Sequence, residues 1–170
     1  MMNVSFNLLF LNRYKMSNYS AKVVWEKSAT EKFTDNQYSR GHSWLFDGGL
    51  KVAASSSPQV VPLPFSVAEN VDPEEAFVAS LSSCHMLFFL STAAKRGYIV
   101  ERYTDNAEGL MAKGSDNRIS MTKVTLKVEV LFSGDKQPNF QQLEKMHHLS
   151  HQQCFIANSV KTDVVTEIII

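Results

Sequence analysis

The sequence predicts an α+β fold: antiparallel strands, a long buried central helix, more strands, a second helix and a last strand. Three observations carry that prediction. Short strand-like runs flank Asp47-Gly48-Gly49, a hairpin signal. An apolar segment of helical period runs from residue 73 to about 96, with start and stop residues at its two ends. Beyond it, β-branched runs are separated by turn residues and by a second helical pattern.

Taken in order, residues 22–26 alternate and are rich in Val and Trp, which reads as a first strand. The polar stretch 27–39 reads as a loop. Residues 42–46 and 50–54 read as the two strands joined by the Asp47-Gly48-Gly49 turn. Residues 55–70 hold Pro58, Pro62 and Pro64, so neither a helix nor a central strand fits there, and a covering loop is expected.

The first helix has clear punctuation. Asp72 suits the N-cap, Pro73 the first helical position, and Glu74 and Glu75 the positive end of the helix dipole. Gly97 supplies the stop. Phe77, Leu81, Cys84 and Phe88 fall at spacings of four, three and four, so they share a face. Leu87, Phe89 and Leu90 make the middle apolar nearly all round, as in a buried helix. Residues 100–111 and 119–132 read as strands around a turn at 113–118, Pro138 as the start of a second helix reaching about 151, and 164–170 as the final strand.

Composition narrows the function. Seventeen Lys and Arg balance seventeen Asp and Glu, so there is no net charge to hold nucleic acid or an anionic membrane. No run of eighteen consecutive apolar residues occurs, and no membrane span is expected. The run 6–11 is apolar but is followed, not preceded, by Arg13 and Lys15, unlike a signal peptide. Residues 1–15 read as a disordered extension before a single domain over 16–170, in the cytoplasm. Two cysteines are too few for a disulfide framework but enough for a redox pair, a metal site or two buried thiols.

Taken singly, Cys84 on an apolar helix reads first as a small core residue, inert unless a cation reaches it. Cys154, at the end of the second helix, has the same structural reading. The segment from Pro73 to Cys84, Pro-Glu-Glu-Ala-Phe-Val-Ala-Ser-Leu-Ser-Ser-Cys, resembles the reactive-cysteine helix of the OsmC/Ohr family, in which the cysteine stands ten positions after a glutamate. The segment His151 to Ser159 resembles that family's second cysteine motif, His-x-x-Cys followed by a small-residue turn. Arg40, ahead of the Asp47-Gly48 hairpin, stands at about the spacing of the family's arginine. The resemblance spans roughly residues 22–170.

The resemblance implies an intertwined homodimer that reduces organic hydroperoxides without metal or other cofactor. It makes Cys84 the attacking thiol and Cys154 the resolving thiol, joined afterwards in a disulfide, with a dithiol reductant such as a lipoylated protein restoring both. Arg40 then serves as the planar cation beside the thiolate and the peroxide, with Glu74 as its carboxylate partner. Ten helical residues separate Glu74 from Cys84 by about 15 Å and turn it about 80° away. Contact between the two therefore requires Arg40 to bridge the gap, a bend in the helix, or a site built from two subunits. Three departures from the commonest family pattern are His85 directly after Cys84, Phe155 where many relatives carry proline, and His42 with Trp44 beside Arg40. His85, rotated 100° from Cys84, reads as a core or interface histidine.

Other readings compete. His147, His151 and Cys154 have the spacing of metal ligands on one helical face. A Cys–His hydrolase lacks a nucleophile elbow or Gly-rich oxyanion loop in this sequence. A non-catalytic stress-related protein binding a ligand or metal on the same fold is the third.

Overall fold

The computed structural model describes residues 17–170, so the extension expected at 1–15 lies outside the described residues. Its contacts group into two compact units that meet in sequence between Asn70 and Val71.

The first unit is an antiparallel three-stranded meander, β1 (Ala21–Val24), β2 (His42–Phe46) and β3 (Lys51–Ala54). The β2–β3 turn closes as its composition predicts. Gly49 N–H donates to Phe46 O at 3.0 Å, and Gly49 takes a φ of +86°, which only glycine adopts without strain. The first strand stops two residues before the expected end, because Trp25 leaves the ladder for an aromatic cluster with Phe33 and Tyr38. Its Nε1–H donates to Ser39 O at 2.7 Å. The proline-bearing loop is tied back to its own strand: Val67 N–H donates to the buried Ser55 Oγ at 3.0 Å, and Asn70 Nδ2 donates to Ala54 O at 3.2 Å.

The second unit is built round α1 (Pro73–Lys95) and the 15-residue strand β6 (Ile119–Ser133). Asp72 caps α1 through a reciprocal box: Glu75 N–H donates to its carboxylate at 2.7 Å, and its own N–H donates to Glu75 at 3.2 Å. The deeply buried stripe is Leu81, His85, Phe89 and Ala93, a strict four-residue repeat, while Cys84 is half-buried beside it. The face expected from Phe77, Leu81, Cys84 and Phe88 is thus shifted by one position, with a histidine taken into the core. By length and composition α1 could cross a membrane, with a mean hydropathy of 1.5 over eighteen residues. Its buried side packs instead as in a core helix, Leu81 on Val124, Leu126 and Val128 of β6, and Phe89 and Ala93 with Tyr98 and Met146.

The strand expected at 100–111 is two, β4 (Ile99–Asp105) and β5 (Glu108–Lys113). Both pair antiparallel with β6, in a register that carries across the break but shifts between Val100 and Arg102 and between Leu110 and Met111, and Asn106 N–H bridges the break to Lys127 O at 3.0 Å. The last strand, β7 (Asp163–Ile169), pairs parallel with β6. Because Thr125 and Val128 face both β7 and the β4–β5 arm, β7 occupies the opposite edge of β6. The second helix, α2 (Phe140–Gln153), starts two residues after Pro138, because Asn139 forms a second capping box with Gln142.

Candidate functional site

Within the second unit, α1 and α2 bring the two cysteines together. Cys154 is the C-cap of α2, where its backbone turns extended at φ −66° and ψ 110° and the helix ends. The chain then closes a 3-10 turn at Ala157–Ser159, the small-residue motif seen in the sequence. This turn faces the sulfur with a backbone donor: Ala157 N–H reaches Cys154 Sγ at 3.4 Å. Asn158 Nδ2 donates back to Gln152 O at 3.0 Å and so ties the turn to the end of α2.

Cys154 is 1% exposed. Burial, and next a hydrogen bond with the Cys84 thiol, push its pKa up to about 11, against the pull of the Ala157 and Ile156 N–H groups. The Cys84 thiol is thus an immediate neighbour of the Cys154 sulfur. Both thiols are unbonded. Above them, Phe88, one turn beyond Cys84, meets Phe155, next to Cys154, edge to face at a centroid distance of 5.1 Å.

The other two predicted residues stand apart in the sequence and in the units. Arg40 belongs to the first unit. Its Nη1 donates to Asn36 O at 3.0 Å and to Tyr38 O, its Nη2 donates to Asn36 Oδ1 at 2.7 Å, and its guanidinium lies 3.8 Å over the Tyr38 ring. Glu74 is half-buried in the first turn of α1 and stays outside the capping box, which uses Glu75. Within each unit, among the described residues, neither forms an ion pair.

Sequence reasoning missed His147 as a partner. Its Nδ1 lies 3.0 Å from His85 Nε2, and both rings are buried. A histidine in the middle of an apolar helix face was the available signal. The spacing that suggested metal ligands does not become a site. Among the described residues no three His, Cys, Asp or Glu side chains gather to hold a metal. His147 turns to His85 and the Cys154 sulfur to Cys84 instead.

A family model described as OsmC-like protein matches residues 67–169. The chain belongs to the OsmC-like family. It is 65% identical to an OsmC-like protein of unknown function from Vibrio cholerae, with 91% of this chain and 100% of that one aligned at a TM-score of 0.90. An organic hydroperoxide resistance protein from Legionella pneumophila matches at 14% identity over 91% of this chain and 98% of its own, with a TM-score of 0.67. The corresponding protein of Bacillus subtilis matches at 17% identity over 89% and 98%, with a TM-score of 0.61. At such low identity these two OsmC-like neighbours speak for the fold alone. No curated protein matches the chain.

Proposed function

We propose that this OsmC-like protein is a thiol-dependent peroxidase that reduces organic hydroperoxides. The observation that carries the reading is the pair of neighbouring free thiols, Cys84 half-buried and Cys154 fully buried. The Cys84 thiolate attacks one peroxide oxygen and the O–O bond breaks. Cys84 is left as sulfenic acid, and the departing alkoxide takes a proton to become the alcohol. Cys154–SH then condenses with Cys84–SOH, forming the disulfide and releasing water. A dithiol reductant such as a lipoylated protein donates two electrons and two protons to restore both thiols, in the reducing cytoplasm.

Arg40 supplies a permanent planar cation for the thiolate and the peroxide, and Glu74 is its carboxylate partner. The ten helical steps from Glu74 to Cys84 support a site shared between two subunits of a homodimer. So does α1, whose middle is largely apolar yet leaves Leu87 63% exposed in one chain. The Phe88–Phe155 pair beside the thiols favours an apolar substituent on the hydroperoxide.

The test is to add one equivalent of an organic hydroperoxide to the reduced protein and follow free thiols and mass. Loss of both thiols with a two-hydrogen mass decrease, abolished in Cys84→Ser, is the expected result. Survival of both thiols in excess hydroperoxide overturns the reading.

A further inference from the structure

Two histidines are buried where the thiol-bearing helices pack together. His85 directly follows Cys84 on α1, and His147 stands on α2 two turns before Cys154. They are 1% and 3% exposed. His85 Nε2 and His147 Nδ1 are 3.0 Å apart, and the rings lie nearly parallel, 11° between planes. Phe89 stacks on the other ring, its centroid 4.4 Å from that of His147.

Each histidine spends only one nitrogen in this bond. His85 Nδ1 and His147 Nε2 are buried without a hydrogen-bond partner. Burial, followed for His85 by the nearby His147 and His151, lowers the pKa to about 3 for His85, and burial lowers it to about 4 for His147. Both are neutral at pH 7, so one N–H lies between them and is donated by one ring to the other. Two orphaned ring nitrogens make this pair a costlier filling than two leucines of similar bulk. What it gains over an apolar pair is direction. Leucines tolerate small slides and rotations of one helix on another, whereas a buried N–H···N bond is satisfied at one register only.

We propose that His85 and His147 are positioning residues whose hydrogen bond fixes α1 against α2 in the register at which Cys84 and Cys154 form a disulfide. The inference rests on reading the two cysteines as a redox pair, and it is indifferent to the oxidant. A rotation or slide of α1 that parts the two rings also carries Cys84, the adjacent residue, off Cys154. The amide side chains provide a graded probe. Asn places its oxygen near the Nδ1 position and keeps an acceptor for His85, while Gln places its polar atoms near Nε2 and leaves the Nδ1 position apolar.

The experiment equilibrates the full-length protein in glutathione redox buffers and measures the fraction carrying the Cys84–Cys154 disulfide by mass after alkylation. His85→Leu and His147→Leu should lower the equilibrium constant for disulfide formation at least tenfold, about 30 mV in potential. Each single variant strands the remaining histidine and should lower the thermal midpoint while keeping the parent's circular dichroism, whereas the His85→Leu/His147→Leu double variant removes both orphaned nitrogens and should match or exceed the parent's midpoint. His147→Asn should stay within threefold of the parent, and His147→Gln should fall with the leucine variants. If the leucine variants do not fold, the contrast between Asn and Gln at position 147 decides alone. Folded leucine variants with the parent's constant, or Asn and Gln variants that behave alike, overturn the inference. A protein that ignores hydroperoxides yet shows this dependence loses the peroxidase reading and keeps the register. One that consumes them with the constant unmoved loses only the register.

Discussion

Cys154 is the neighbour of Cys84, a residue seventy positions earlier in the chain, and it is the more buried of the two. The two thiols therefore differ in availability before any oxidant arrives. With its pKa at about 11, Cys154 is a thiolate in only about one molecule in 3,000 at pH 7.5. Brief treatment with iodoacetamide at that pH, followed by peptide mapping, should place the first label on Cys84. Labelling of Cys154 should then rise about tenfold per pH unit up to pH 10. Equal labelling of the two at pH 7.5 would contradict this asymmetry.

Acid should destabilise the fold through the buried histidine pair. The folded values of about 3 for His85 and about 4 for His147 lie below the ordinary 6.5 of an unfolded histidine. Between those limits the unfolded chain binds protons that the folded chain refuses, so stability is full above about pH 6.5 and falls as the pH drops toward the folded values. At pH 5 the loss is about 2 kcal/mol for each histidine. Asp105 pulls the other way, since burial raises its carboxyl despite the Ser82 hydroxyl bonded to it at 2.5 Å. Urea midpoints at pH 7 and pH 5 measure the net effect, and a His85→Leu/His147→Leu double variant should flatten most of the difference.

The parts of this architecture written in local chemistry were legible in the sequence. Asp72 and Pro73 announce α1, and Asp47-Gly48-Gly49 announces the β2–β3 turn, because caps and turns are decided by a few adjacent residues. The start of α2 was misplaced because Pro138 and Asn139 are both start signals, and the side-chain cap of Asn139 prevails. The break at Asn106 did have a local signal, since Asp105, Asn106 and Gly109 are poor strand formers, but the strand-like runs on either side masked it, and both pair with β6. The meeting of Cys84 with Cys154 was implied only by a family resemblance. The pairing of His85 with His147 depends on how α1 lies on α2, a relationship across 62 residues that no local pattern encodes.

The close approach of β5 to α1 sets another test. A Cβ added at Gly109 would fall 2.5 Å from Met121 Sδ and 2.7 Å from Val78 Cγ2. The methionine end can swing away, but the valine is stiff at χ1 and sits on α1, six residues before Cys84. Gly109→Ala should therefore cost about 1–3 kcal/mol, read as a lowered urea midpoint. A midpoint equal to the parent's would mean that this strand and helix have more room than the distances allow.

Arg40 offers the test that separates the chemistry from the thiol pair itself. Its guanidinium uses two nitrogens at once, Nη1 on the Asn36 and Tyr38 carbonyls and Nη2 on the Asn36 side chain, while its plane lies on the Tyr38 ring. Lysine keeps the charge but has no planar fork to spread over these acceptors or over two peroxide oxygens. If Arg40 stabilises the charge that develops as the O–O bond breaks, Arg40→Lys should slow hydroperoxide consumption by about 10² or more. The disulfide constant in glutathione buffers should stay near the parent's, because Arg40 belongs to the first unit while both cysteines and the histidine pair belong to the second. A variant that loses both properties together would make Arg40 a structural residue. One that keeps full turnover would remove it from the mechanism.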